Sequence, residues 1–291
     1  MDPVTRLGVV GCGLMGSGIA EVAARSGIDV RVAEATPDAV EAGRRRITAS
    51  LDRAVRRGKL GEEQREQALA RLSYTHDLGD LADRQFVIEA VAENRDIKTD
   101  ILQKLDKTLE DPAAVLATNT SSIPIVDLAV VTERPGQVIG MHFFNPVPVQ
   151  QLVELIPALT TAPDTIQRTR DLAAALGKQP IQAPDRSGFV VNALLVPYLL
   201  SAVRMVESGA ARPDDIDQGM ELGCAHPMGP LRLLDLIGLD TAQAVAESMY
   251  EEFKEPLYAP PALLRRMVAA GHLGRKSGRG FYAYDSSVPG G

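Results

Sequence analysis

A doubly wound α/β domain followed by an all-helical one is the architecture that this 291-residue sequence predicts. Three observations carry the prediction. A glycine pattern sits between a short apolar run and a helix-compatible stretch near the start. Short apolar runs then alternate with stretches of helical periodicity up to about residue 182, and after residues 183–188 strand signals stop and helical ones dominate. The expected boundary separates a first domain, residues 1–185, from a second, residues 186–291, with a helical pair inserted at about 38–71. An apolar fraction of 45% and a charged fraction of 24% are ordinary for a globular chain of one large or two modest domains.

The first strand is the run Leu7-Gly8-Val9-Val10, which leads directly into Gly11-Cys12-Gly13-Leu14-Met15-Gly16. In this G-x-G-x-x-G the first glycine permits a tight turn, the second lets a pyrophosphate approach the backbone, and the third packs helix against strand. Residues 17–24 continue as a helix, whose N-terminus offers free N–H groups and a positive dipole end to the phosphates. Alone the pattern is weak; its place after a strand and before a helix gives it weight. The expectation is a Rossmann-type domain that holds a dinucleotide at Gly11, Gly13, Leu14, Met15 and Gly16. Residues 28–34 form a second strand ending in Glu34, 18 residues beyond Gly16, where a carboxylate meets the ribose hydroxyls. Its charge favours NAD over NADP, whose extra phosphate it would repel.

Residues 38–57 and 62–71 read as two helices, and Gly58 ends the first. That helix carries Arg44, Arg45, Arg46, Arg53, Arg56 and Arg57. Such a run is either a solvated face or a grip for an anionic handle on a substrate. A strand at 86–91 leads through Glu93 and Asn94 into a helix with Lys98, Leu102 and Leu105, and a strand at 114–118 ends in Asn119-Thr120-Ser121-Ser122. Open α/β sheets place ligands just past strand C-termini, so Glu93, Asn94 and Ser121 are site candidates. For Ser121 and Ser122 the plainer role is capping the next helix.

The run 138–141 has His142 at its end, and Pro146 and Pro148 mark the connection to a strand at 152–156 with Glu154 inside it. Two strands joined by a rigid loop can bring His142 and Glu154 within hydrogen-bonding reach. The imidazole would accept a proton, and the carboxylate would fix its tautomer. A helix at 164–176 and a short strand at 178–181 complete the domain. Residues 190–200 are apolar nearly all round, with Pro197 expected to kink the helix. A helix of that kind must be buried, and an oligomer interface is a natural cover for it. Asn192, the polar residue of its first turns, either finds local partners or points into the cleft. Residues 286–291 read as a loose tail.

Several classes are disfavoured. A net charge of −7 argues against a broad nucleic-acid footprint. Neither Cys12 nor Cys224 has a partner at metal-ligand spacing, and the four histidines, His76, His142, His226 and His272, form no ligand cluster, so neither a disulfide framework nor a metal is expected. No apolar run approaches the ~20 residues that span a bilayer. Residues 1–6 lack a basic run followed by an apolar one, so a cytoplasmic protein is expected.

Eight stretches, in order and spacing from Arg6 to Tyr284, resemble the short-chain L-3-hydroxyacyl-CoA dehydrogenases, including the bacterial 3-hydroxybutyryl-CoA dehydrogenases. They are Gly-Cys-Gly-Leu-Met-Gly at 11–16, Glu-Ala-Val-Ala-Glu-Asn at 89–94, Asn-Thr-Ser-Ser at 119–122 and His-Phe-Phe-Asn-Pro-Val-Pro-Val at 142–149. Leu-Val-Glu at 152–154, Gly-Phe-Val-Val-Asn at 188–192, His-Pro-Met-Gly-Pro at 226–230 and Gly-Arg-Lys-Ser-Gly-Arg-Gly-Phe-Tyr at 274–282 complete the set. The resemblance implies an NAD-binding domain, a helical C-terminal domain through which the chain forms a homodimer, and oxidation of the 3-hydroxyl of an acyl-CoA to a 3-ketone. It makes His142 the catalytic base and Glu154 its partner, and puts Ser121 and Asn192 near the reacting carbon. Glu34, Glu93, Lys98, Asn145 and Lys276 match cofactor contacts, with Ser121 also adjoining the cofactor. Ser50 and Arg57 fall where the family grips coenzyme A. Arg57 replaces a lysine common there, and Glu34 replaces the more usual aspartate. Rival readings are a dehydrogenase of a sugar acid such as gulonate and a crystallin-like structural protein without turnover.

Overall fold

The computed structural model describes residues 3–284, so the tail expected at 286–291 lies outside the described residues. The chain divides into two compact units, Met1–Arg186 and Ser187–Gly291. In the first unit β1 (Arg6–Val10), β2 (Asp29–Ala33), β3 (Leu72–Thr75), β4 (Phe86–Glu89), β5 (Val115–Thr118), β6 (Val138–Phe143), β7 (Leu152–Pro157) and β8 (Gln179–Gln182) form one sheet. Its order is β3-β2-β1-β4-β5-β6-β7-β8. Neighbours are parallel except β6 and β7, which are antiparallel. The connections hold α1 (Leu14–Arg25), α2 (Pro37–Arg56), α3 (Glu62–Ala70), α4 (Arg95–Thr108), α5 (Ile125–Ala129) and α6 (Pro163–Ala175). Chain order reverses between β1 and β4, and that switch opens a crevice at the strand C-termini.

Every residue of β4, β5 and β6 is buried. That burial is why these strands read as short apolar runs, since strands covered on both faces must be apolar throughout. Each buried Leu, Ile, Val or Phe side chain contributes about 1.5–3 kcal/mol. Glu89 and His142 stand out in this setting, because a buried polar group is costly unless it is partnered.

The sequence did not signal β3. Its four residues, LSYT, follow α3 without a turn signal and lack an apolar run; backbone pairing with β2 makes it an edge strand. At the other edge, β8 accommodates Pro180, as edge strands can. Helix α1 is buried from Gly16 to Ala24 between the sheet and the α2/α3 pair, which its small residues permit. Helix α2 buries Gly43, Ile47 and Leu51 at i, i+4 and i+8, and Thr36 caps its start. Of its arginines, Arg44 and Arg45 pair with Glu41, and Arg46 donates to the Cys12 carbonyl. The start of α5 is capped by the Asp185 carboxylate, which accepts from Ile125 N–H at 2.7 Å and Val126 N–H at 2.8 Å. Ser121 and Ser122 therefore do not cap that helix.

In the second unit, α7 (Val191–Glu207), α8 (Pro213–Cys224), α9 (Pro230–Ile237), α10 (Leu239–Phe253) and α11 (Ala262–Ala269) pack around Leu199, Leu200, Leu231, Leu234 and Met249. Helix α7 runs through Pro197 and is not buried all round, since Leu194 is 75% exposed. Two buried aspartates close the unit. Asp217 accepts from the N–H groups of Leu231 and Arg232 at the start of α9 and from the Tyr282 hydroxyl. Asp235 accepts from Phe281 N–H, Tyr282 N–H and the Tyr284 hydroxyl. Burial pushes the Asp235 carboxyl above its usual range, and those donors only partly offset it. No helix among the described residues is long and apolar enough to cross a membrane.

Candidate active site

The glycine loop is shaped by close approaches. Gly11 turns with φ +88°, and a Cβ there would meet the Ala90 carbonyl oxygen at 2.7 Å; at Gly16 a Cβ would lie 1.8 Å from the Gly11 carbonyl oxygen. Gly13 differs, because a Cβ there would meet nothing within 4 Å. The first turn of α1 has no side-chain cap, so its N–H groups remain for an anion in that open space. Just past β2, Glu34 turns toward this loop and its carboxylate accepts from Cys12 N–H at 2.5 Å and Ala35 N–H at 3.2 Å. A cleft of about 600 Å³ adjoins them, with Gly11, Gly13, Glu34, His76, Val91 and Ile97 in its walls. Phosphate donors, a carboxylate for a ribose diol and a cleft beside both fit a dinucleotide. Burial and the neighbouring Glu34 push the Cys12 thiol up to about 12, which leaves it protonated and inert in this loop.

At the C-terminal end of β6 a second constellation assembles. His142 and Glu154 are register partners across the antiparallel β6/β7 pair, so their side chains share one face of the sheet. His142 Nδ1 lies 2.8 Å from Glu154 Oε2, and Glu154 has no exposed surface. An ionised carboxylate only accepts, so Nδ1 carries the proton and donates it, leaving Nε2 as the ring acceptor. Ser121 Oγ is 3.1 Å from that Nε2. The neighbouring β5 end is tied in by Asn119, whose Oδ1 accepts from Phe143 N–H at 2.9 Å. The loop after β6 is held from below, because Lys178 Nζ donates to the carbonyls of Val147 and Gln150. Asn145 lies exposed in that loop, and the Asn145–Pro146 peptide is cis.

Glu93 organises the turn that carries Ser121. Its Oε1 accepts from the Thr120 hydroxyl at 2.6 Å, Ser121 N–H at 2.9 Å, Ser122 N–H at 3.1 Å and the Ser122 hydroxyl at 2.9 Å. Burial pushes the Glu93 carboxyl up, but the Lys98 ammonium and these donors outweigh it and hold the group below the usual carboxylate range. Lys98 itself is wholly buried and pairs with Glu89 at 2.8 Å. Asn94 caps α4 by accepting from Ile97 N–H. Ser50 is half-buried on α2, and Arg57 is exposed at the end of that helix. Asn192 and Lys276 belong to the second unit, Asn192 in the first turn of α7 and Lys276 donating to Asp240 at 2.7 Å. The sequence alone pointed to no role for Glu89 or Asn119. The available signal for Glu89 was a carboxylate inside an otherwise apolar strand, which requires partners.

Two family profiles match the chain. The 3-hydroxyacyl-CoA dehydrogenase NAD binding domain matches residues 6–186, and the 3-hydroxyacyl-CoA dehydrogenase C-terminal domain matches residues 188–284. A 3-hydroxybutyryl-CoA dehydrogenase of Mycobacterium tuberculosis is 58% identical over 284 residues, which cover 97% of this chain and 99% of that protein. The crystal structure of FadB2 from M. tuberculosis superposes with a TM-score of 0.97 at 57% identity, over 98% of this chain and 100% of that one. The (S)-3-hydroxybutyryl-CoA dehydrogenase of Ralstonia eutropha superposes with a TM-score of 0.93 at 46% identity, over 97% of this chain and 100% of that one. The chain belongs to the 3-hydroxyacyl-CoA dehydrogenase family, with the family's NAD-binding domain in its first unit and the C-terminal domain in its second.

Proposed function

We propose that this enzyme reversibly oxidises the 3-hydroxyl of a short L-3-hydroxyacyl-CoA, foremost 3-hydroxybutyryl-CoA, to the 3-ketoacyl-CoA. The hydrogen-bonded series Glu154, His142, Ser121 at the end of β6 is the observation that carries this reading. Bound NAD supplies the acceptor for the hydride that leaves C3. The hydroxyl must lose its proton as that hydride leaves, so a base has to stand at the oxygen. His142 Nε2 takes the proton, and Glu154 stabilises the imidazolium that results. Ser121 Oγ, beside the same nitrogen, orients the substrate oxygen. In reduction His142 returns the proton to the developing alkoxide.

The glycine loop from Gly11 to Gly16, with Leu14 and Met15, holds the pyrophosphate, and Glu34 holds the ribose diol. Glu93 and Asn145 complete the cofactor's surroundings within the first unit, with Lys98 behind Glu93. Ser50 and Arg57 grip the coenzyme A portion, a cation suiting its phosphates. NADH consumption with acetoacetyl-CoA tests the whole reading. His142→Ala is expected to lower kcat by at least ~100-fold with NADH binding retained. Turnover that survives the substitution would remove His142 from the mechanism, and turnover on gulonate in place of acetoacetyl-CoA would overturn the substrate class.

A further inference from the structure

Glu89 closes β4 with no exposed surface, and its carboxylate is fully engaged. Oε1 accepts from Val91 N–H at 2.7 Å and from the Lys98 ammonium at 2.8 Å; Oε2 accepts from the Thr118 hydroxyl at 2.6 Å and from Lys98 at 3.0 Å. Lys98 meets a second carboxylate, Glu93 Oε2, at 3.5 Å. Through its other oxygen Glu93 gathers the donors of Thr120, Ser121 and Ser122, and Ser121 Oγ reaches His142 Nε2. The path from Glu89 to the imidazole is therefore continuous and lies within one compact unit.

A plain strand-to-helix staple does not account for this arrangement. Well-packed apolar residues hold such elements as well as a buried ion pair does. A staple also needs no second carboxylate on the same ammonium, least of all one 39% exposed like that of Glu93. The arrangement makes sense as a means of keeping Glu93 ionised and still. An ionised carboxylate is purely an acceptor, so it commits the turn's N–H groups and the Thr120 hydroxyl to itself and leaves the Ser121 hydroxyl to His142.

We propose that Glu89 is a positioning residue for the reaction: acting through Lys98 and Glu93, it sets the turn that presents Ser121 to His142. The proposal rests on the roles given above to Ser121 and His142. Its test is a double-substitution cycle read in kcat for acetoacetyl-CoA reduction. Glu89→Gln keeps the side chain's size and one acceptor while removing the charge that holds Lys98. It is expected to lower kcat by about 10-fold, with the KM for acetoacetyl-CoA within about 3-fold, because small misplacements at a reacting centre cost rate before affinity. In the Ser121→Ala background the same substitution should change kcat by less than about 2-fold, since the group it positions is gone. Equal losses in both backgrounds would overturn the proposal.

A second readout needs no turnover. The His142 ring nitrogen resonances of ¹⁵N-labelled protein are expected to shift in Glu89→Gln, and an unchanged Nε2 signal would overturn the positioning role. If Glu89→Gln does not fold, Thr118→Val removes a donor from the same carboxylate without altering any charge, and the same criteria apply to it. If His142→Ala leaves turnover intact, the catalytic reading fails on its own account and the nitrogen spectrum decides the positioning claim.

Discussion

An imidazole and a carboxylate that are almost wholly buried lose their hydration, and hydrogen bonds such as the one between His142 and Glu154 must compensate. That pairing also gives Glu154 a role that can be isolated. In Glu154→Gln the carboxamide oxygen can still accept from Nδ1, but no charge remains to stabilise the imidazolium. In steady-state assays, kcat for acyl-CoA oxidation is expected to fall by about 10²–10⁴, with substrate KM little changed. A variant with normal kcat would show that the carboxylate's charge is dispensable.

At the scale of elements, the site depends on how β4, β5, β6 and β7 end side by side. The β6/β7 register places His142 opposite Glu154, and a slip of one residue would turn one of the pair to the other face. The turn after β5 depends on an ionised Glu93, and its pH response has a definite sign. Because the folded-state carboxyl titrates below its ordinary range, the stability it confers is fully present above the unfolded value of about 4.3 and is lost as pH falls through the lowered value. Thermal melts of wild type and Glu93→Gln should therefore differ at neutral pH and converge in acid. A gap that stays constant down to pH values of about 3 would contradict that linkage.

For the whole molecule, the second unit leaves large apolar side chains in water, among them Leu194 on α7, Leu222 on α8 and Leu236 on α9. Exposed leucines of this size can serve as interface anchors, and we propose that a second copy of this chain covers them. Sedimentation velocity is expected to show a dimer for the wild type and a shift toward monomer for a Leu194→Asp, Leu222→Asp double variant. A wild-type monomer at micromolar concentration would refute the homodimer.

Much of the sheet was legible because strands buried on both faces must be continuous apolar runs and helices need their own period. The edge strand β3 was not, since four mixed residues become a strand only through pairing with β2. The glycine spacing and the acid after β2 announced a dinucleotide site because backbone geometry leaves few alternatives there. His142 and Glu154 were legible as candidates because strand ends and prolines bracket them. Their direct opposition, the Ser121 contact and the Glu93 cradle depend on register and on strands far apart in sequence. Glu89 and Lys98 show the division most clearly. Residue order and periodicity were enough to put a carboxylate in an apolar strand and a lysine in a following helix. Their pairing came from the packing of β4 against α4, because a charge removed from water takes whatever counter-charge and donors the fold brings within reach.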